Sequence, residues 1–138
     1  MFNKILVAVK FSTAGAQALE LAIQLAKNSR AHLHLLHAMD YRLQPDHPEL
    51  IEQQKAIENR IRQDVQAVCS DLENLSVAVY PADPAMEVCK LARRIEADLI
   101  VLGCHQRRGM TAMGRVDYVG MTILEKAPCP VMLIPQRP

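Results

Sequence analysis

Short, uninterrupted apolar segments alternate with longer amphipathic segments along this chain. A short continuous apolar run is typical of a strand that is buried on both faces, and such strands are characteristic of parallel sheets. Parallel neighbours need a crossover connection, which is usually a helix. The sequence predicts five strands, over residues 5–9, 33–38, 76–80, 99–102 and 131–134.

Apolar residues at helical spacing fill the segments between these runs. They predict helices over residues 13–28, 48–74, 84–95 and 116–126. Ser12 or Thr13 can cap the first helix, and Asp83 followed by Pro84 is a typical helix start. Strands that alternate with helices predict a three-layer α/β fold with a mostly parallel sheet. At 138 residues, the whole chain from 1 to 138 is expected to form a single domain.

Composition excludes several classes of function. The chain has 16 Lys and Arg against 15 Asp and Glu, a net charge of +1, whereas proteins that neutralise many phosphates carry a basic excess. Aromatic residues make up only 4%, with no Trp, which argues against base stacking on single strands. The four Cys are far apart in sequence, and neither a signal peptide nor a membrane span is evident. We expect a reduced, cytoplasmic protein with no nucleic acid or membrane partner.

Several segments, taken together in order, resemble the universal stress protein family. They cover residues 4–12, 35–38, 82–85, 97–105 and 127–131. The resemblance implies a Rossmann-like fold with a five-stranded parallel sheet of strand order 3-2-1-4-5. It also implies a homodimer in which the last strand, here Val131, Met132, Leu133 and Ile134, pairs across the two-fold axis.

Physical reasoning about the last strand agrees with such a dimer. An apolar edge strand presents unpaired backbone groups that invite uncontrolled pairing, and pairing with its twin would remove that liability. An alternative is that residues 135–138, which include two prolines, cover or blunt the edge.

The ATP-binding signature of the family is incomplete in this chain. Many members have a Gly, two residues, a second Gly, nine residues, and then Gly followed by Ser or Thr, so that phosphate oxygens can approach backbone amides at a helix N-terminus. This chain keeps Gly103 and has Gln106 in place of the second Gly. Counting forward places residues 116–117 at the final pair, and counting backward from residues 127–128 places residues 117–118 there.

Under either count, Asp117 brings a carboxylate into the phosphate region. A carboxylate about 4 Å from one phosphate charge costs roughly 1 kcal/mol in water and about 4 kcal/mol at an effective dielectric constant of 20. ATP-binding members also generally have Asp at the end of the first strand, where this chain has Lys10. The segment 103–106 thus resembles the branch of the family that does not bind ATP.

Basic residues at the predicted pocket leave an alternative open. Lys10, Arg107, Arg108 and Arg115 could form a rebuilt anion site, or they could be an ordinary solvated basic loop. The ligand-pocket candidates on these grounds are Val9, Lys10, Ser12, Ala38, Gly103, His105, Gln106, Arg107, Arg108, Gly109, Arg115 and Asp117.

Histidine and cysteine side chains offer weaker candidates. Strand alternation puts His32 and His34 on one face and His37 on the other, which favours hydrogen-bonded structural imidazoles over a metal site. Cys104 is interpreted as a small apolar residue, with a redox-sensitive thiol as the alternative. No catalytic triad, phosphate-binding P-loop or paired carboxylates are found.

The predicted function is that of a non-catalytic, cytoplasmic, homodimeric universal stress protein without a cofactor. The resemblance implies a role in a stress or metabolic response, through contacts with a protein partner or sensing of a small ligand. The alternative is an ATP- or AMP-binding member with a remodelled phosphate loop and at most slow hydrolysis.

Overall fold

Strands and helices alternate through the computed structural model, which describes residues 2–40, 48–104 and 117–136. The predicted elements are present in the predicted order. The strands are β1 (Lys4–Ala8), β2 (His32–Met39), β3 (Leu75–Pro81), β4 (Leu99–Cys104) and β5 (Val131–Pro135). The helices are α1 (Thr13–Ser29), α2 (Pro48–Val68), α3 (Pro84–Ile95) and α4 (Tyr118–Lys126).

All of the strand pairs are parallel, and the strands lie in the order β3-β2-β1-β4-β5. This confirms the predicted fold class and strand order. The central strand is β1, in which Val7 lies opposite Leu35 of β2 and Val101 of β4. The residues that follow β1 therefore lie at the middle of the carboxyl edge of the sheet, where ligands bind in open α/β folds.

Two apolar clusters cover the two faces of the sheet. Ile5 and Val7 point into a cluster that α1 and α2 complete. Leu6 and Ala8, at the alternate positions of β1, point into the cluster completed by α3 and α4. Because β1 from Ile5 onward and all of β4 are apolar, both faces of these strands are buried, as their continuous apolar sequence predicts.

Asp98 joins the starts of β1 and β4. Its carboxylate accepts hydrogen bonds from the backbone N–H of Asn3 at 2.7 Å and of Lys4 at 3.3 Å. The Asp98 N–H in turn donates to the Lys4 carbonyl at 3.0 Å. These bonds fix the register of the two strands at the end of the sheet opposite the candidate site.

Side-chain caps define the starts of the helices. Ser12 caps α1, because its hydroxyl accepts from the Gly15 N–H at 3.0 Å, and Asp83 caps α3 in the same way through Met86. At the other ends, Arg30 and Glu96 take left-handed backbone conformations that close the last turns.

Two predicted helix boundaries are wrong. The second helix was predicted to reach residue 74, but α2 ends at Val68, although Leu72 still packs against the core from the following loop. An apolar residue that continues a helical spacing can thus pack against the core from a loop and need not belong to the helix. The fourth helix was predicted to start at residue 116, but it starts at Tyr118 because Asp117 is its N-cap.

None of the helices in the described ranges combines the length and the apolar character needed to cross a bilayer.

Candidate functional site

Lys10 and Asp117 form an ion pair at the carboxyl edge of the sheet. Lys10 follows β1, Asp117 precedes α4, and the Lys10 Nζ lies 3.2 Å from the Asp117 Oδ2. Each side chain is 25% exposed, so the pair is partly buried. Two of the three residues that depart from the ATP-binding pattern of the family, Lys10 and Asp117, are therefore partners of each other.

The second oxygen of the Asp117 carboxylate caps α4. Asp117 Oδ1 accepts from the Gly120 N–H at 2.7 Å. A helix N-terminus is a favourable place for an anion, because its N–H groups lack partners within the helix. Here the side chain of Asp117 supplies that anion from within the chain.

Gly103 lies at a close approach of two backbone segments. A Cβ added at Gly103 would be 2.6 Å from the carbonyl oxygen of Ala14 and 2.7 Å from the nitrogen of Gly15. A Cβ at Gly15 would be 2.1 Å from the carbonyl oxygen of Lys10. Both glycines let α1 start directly against the ends of β1 and β4, so packing alone accounts for Gly103.

An aromatic and basic cluster lies beside the ion pair. The Arg60 guanidinium of α2 lies over the Phe11 ring, 4.0 Å from its centroid, and the ring contacts His37 at a centroid distance of 4.8 Å. His37 Nδ1 donates to the Val9 carbonyl at 2.9 Å. His37 thus has a structural partner at the end of β1, as the interpretation of structural imidazoles predicts.

A cleft of about 680 Å³ opens between α1 and α2 next to this cluster. This volume is within the usual range of small-molecule sites. The β1–α1 turn forms its mouth, and the facing sides of the two helices form its walls. Its lining residues are Val9, Lys10, Phe11, Ser12, Thr13, Gly15, Ala16, Leu19, Glu20, Arg60, Asp64, Ala67 and Val68.

Burial raises the pKa of the Cys104 thiol, and the nearby Asp117 carboxylate raises it further. Cys104 is buried at the end of β4. A reactive cysteine needs an exposed, electropositive environment that lowers its pKa. These observations favour the small apolar interpretation of Cys104 over the redox-sensitive one.

His32 and His34 stack on one another at the start of β2, with ring centroids 4.1 Å apart. Desolvation, together with the neighbouring His32 and Lys4, lowers the pKa of His34 to about 4. His32 Nε2 shares a hydrogen bond of 2.7 Å with the Ser76 hydroxyl. In the part of the chain that the structure describes, no His, Cys, Asp and Glu group of three or more is arranged to hold a metal.

The structure brings part of the predicted pocket together. Val9, Lys10 and Ser12 line the cleft, Asp117 binds Lys10, and Gly103 packs against the start of α1. Ala38 lies on β2 opposite Tyr80 and does not line the cleft. Six other candidates lie outside the described residues: His105, Gln106, Arg107, Arg108, Gly109 and Arg115.

Sequence reasoning missed the α2 wall of the cleft. Arg60 and Asp64 belong to the polar side of an amphipathic helix, which is usually solvated. The turn that holds Phe11 was expected at the carboxyl edge because it directly follows the first strand, but Phe11 itself was not among the ligand-pocket candidates.

Comparisons with known proteins agree with this fold. A family model described as the Universal stress protein family matches residues 1–135. Universal stress protein YxiE of Bacillus subtilis is 26% identical over 148 residues, which covers 97% of this chain and 99% of that protein.

Solved structures show the same architecture. Universal stress protein UspA from Lactobacillus plantarum is 27% identical with a TM-score of 0.76, and the match covers 96% of this chain and 97% of that chain. The universal stress protein from Archaeoglobus fulgidus in complex with dAMP shares the fold at 16% identity and a TM-score of 0.70, covering 97% and 98% of the two chains. The family match spans nearly the whole sequence, and the chain belongs to the universal stress protein family.

Proposed function

We propose that this protein is a non-catalytic universal stress protein that acts in the cytoplasm as a homodimer, in a stress or metabolic response. It works through contacts with a protein partner or by sensing a small ligand, and it does not use ATP. The observation that carries this proposal is the ion pair between Lys10 and Asp117.

The ion pair uses the groups that a phosphate would need. The Asp117 carboxylate engages the Gly120 N–H at the start of α4 and the Lys10 ammonium at the end of β1. A nucleotide phosphate must therefore displace this carboxylate or tolerate its charge at close range, and both cost binding free energy. Gly103, the retained glycine of the ATP-binding pattern, has its own packing role and adds no support for a nucleotide.

Titration of nucleotide-free protein with ATP, with and without Mg²⁺, tests this proposal by isothermal calorimetry. We expect no saturable binding at micromolar ATP. Micromolar affinity would overturn the proposal. The double variant Gln106→Gly with Asp117→Ser restores two residues of the family pattern and is the matched comparison for whether the pocket is otherwise intact.

A nucleotide-binding role is the second candidate. It is supported by the Archaeoglobus relative, whose structure is a complex with dAMP, and by the basic side chain of Lys10 at the mouth of the cleft. A relative at this identity supports only a fold that can accommodate an adenine nucleotide. The titration should therefore include AMP as well as ATP.

The homodimer part of the proposal is supported by the edge strand β5. Val131, Met132, Leu133 and Ile134 are each only partly buried. The Pro130 carbonyl accepts a hydrogen bond from the Ile100 N–H of β4. In a parallel ladder only every second residue bonds to a given neighbouring strand, so the backbone N–H and C=O groups of Val131 and Leu133 face the open edge.

Sedimentation should give a dimer, and Val131→Pro or Leu133→Pro should shift it to monomer. A wild-type monomer at high micromolar concentration contradicts this part.

A further inference from the structure

The cleft between α1 and α2 carries charges of both signs. Arg60 and Asp64 lie one turn apart on the α2 wall, Glu20 lies on the α1 wall, and Lys10 lies at the mouth, where Asp117 engages it. Because Asp117 already neutralises Lys10, the charges left to a ligand are one cation, Arg60, and two carboxylates, Asp64 and Glu20. Such a cleft complements neither a polyanion nor a simple cation.

Arg60 and Asp64 do not satisfy each other. In the described part of the chain no ion pair joins them, whereas Glu58 and Arg62 on the same helix form an i,i+4 pair at 3.2 Å. In the pair that forms, the acidic residue Glu58 precedes the basic residue. Arg60 and Asp64 have the opposite order, basic before acidic, which is the less favourable one in a helix. The Arg60 guanidinium lies on the Phe11 ring instead.

The body of the cleft is apolar and is kept open by small residues. Leu19 lies in its wall with 7% of its surface exposed, while Phe11 and Val68 keep 38% and 43% of theirs. Ala16 on α1 and Ala67 on α2 have side chains too short to fill the gap between the helices. An apolar group on a ligand would cover Phe11 and Val68 and remove their surface from water.

From these charges and this apolar wall, we propose that the cleft binds an α-amino acid with an apolar side chain. Arg60 binds its carboxylate, Asp64 binds its ammonium group, and the side chain lies against Leu19, Phe11 and Val68. A zwitterion matches both charges that α2 contributes to the cleft lining, whereas a fatty acid would face the Asp64 carboxylate and an amine would face the Arg60 guanidinium. This proposal rests on the ligand-sensing part of the proposed function and names the ligand class.

The test titrates the full-length protein with L-phenylalanine and L-leucine, using calorimetry and ligand-observed NMR. We expect a Kd of about 0.1–1 mM for a ligand of this size. The analogues 3-phenylpropionate, which lacks the ammonium group, and 2-phenylethylamine, which lacks the carboxylate, should bind at least tenfold more weakly. If either analogue binds as tightly as phenylalanine, the claim that both charged groups of the ligand are recognised is wrong. If neither amino acid shows saturable binding up to about 10 mM, the proposed amino acid site is wrong.

Variants locate the binding in this cleft. Arg60→Gln and Asp64→Asn should each weaken phenylalanine binding about tenfold. Ala16→Leu or Ala67→Leu should abolish it by filling the gap, and both positions are exposed enough to accept a larger side chain. Arg62→Gln on the same helix is the matched control and should bind as wild type. Wild-type affinity in Arg60→Gln and in a folded leucine variant overturns the location.

The outcome is separable from that of the nucleotide titration. Failure of amino acids to bind leaves the argument from the Lys10–Asp117 ion pair against ATP, and the dimer proposal, untouched. Binding of ATP overturns the proposed function and does not bear on the amino acid measurements.

Discussion

Gly103 and Ala14 lie so close together that a Cβ on Gly103 would be 2.6 Å from the Ala14 carbonyl oxygen. The atoms it would meet belong to the backbone of α1, so no flexible side chain can move aside. Gly103 is thus required where the end of β4 supports the start of α1. In this chain, a glycine of a nucleotide-binding pattern is retained for packing.

Gly103→Ala should therefore lower the free energy of unfolding by about 2 kcal/mol or more, whether or not a nucleotide is present. Gly15→Ala should cost more, because its Cβ would meet the Lys10 carbonyl oxygen at 2.1 Å. Urea denaturation followed by circular dichroism measures both. A Gly103→Ala protein within about 0.5 kcal/mol of wild type would show that the backbone gives way easily.

The ion pair of Lys10 and Asp117 should show coupling in a double-mutant cycle. With Lys10→Met and Asp117→Asn we expect about 0.5–1 kcal/mol of coupling, decreasing at high salt, because the pair is only partly buried. Asn keeps an oxygen for the Gly120 N–H, so Asp117→Ala should lose a further ~1 kcal/mol as the cap is removed. If the effects of the two single substitutions on the free energy of unfolding add up within error to that of the double variant, the ion pair contributes nothing to stability.

His34 should make the protein less stable in mild acid. Its pKa is about 4 in the folded protein, against an ordinary value of 6.5, so the unfolded chain binds more protons between these values. Stability should therefore be complete above pH 6.5 and fall as the pH approaches 4. Because His34 is only partly buried, solvent screening leaves a loss of about 1 kcal/mol.

Urea denaturation from pH 7 to pH 4 measures this loss, and His34→Gln should remove it. His32→Gln is the matched comparison and should reduce it only in part, since the neighbouring His32 is a secondary cause of the lowered pKa. An unchanged pH dependence in His34→Gln would assign the loss to other groups.

Cys104 should react slowly with iodoacetamide near neutral pH. Its thiol is buried and its pKa is raised, first by desolvation and then by Asp117. Cys129 is the most exposed of the four thiols and should be labelled first, as peptide mass spectrometry can show. Asp117→Asn should speed the labelling of Cys104 several-fold. Labelling of wild-type Cys104 at the rate of free cysteine would restore the redox interpretation.

The sequence was sufficient to predict the sheet. Continuous apolar runs such as 5–9 and 99–102 are too short for buried helices and alternate with helical segments, which indicates burial on both faces of a parallel sheet. The strand order came from the family resemblance, and the structure confirms it. The end of α2 could not be predicted in the same way, since Leu72 packs against the core without being helical.

The site was predictable only in part. The position of Lys10 and Asp117 at the carboxyl edge followed from the strand pattern, but their mutual contact joins residues 107 positions apart, and no local pattern encodes it. Asp117 was interpreted as a charge opposed to phosphate, and its role as the cap of α4 was missed. The Arg60 wall depends on how α1 and α2 face each other, which helical periodicity does not define.

The central place of β1 in the sheet has a consequence during synthesis. The first three strands can pair while the ribosome is still making the second half of the chain, but one edge of β1 has no neighbour until β4 emerges. The pairing of β1 with β4, in which Val7 lies opposite Val101, joins strands that are far apart in sequence. The nascent chain therefore exposes an apolar central strand for much of its elongation, and this is the stage at which a chaperone would protect it from aggregation.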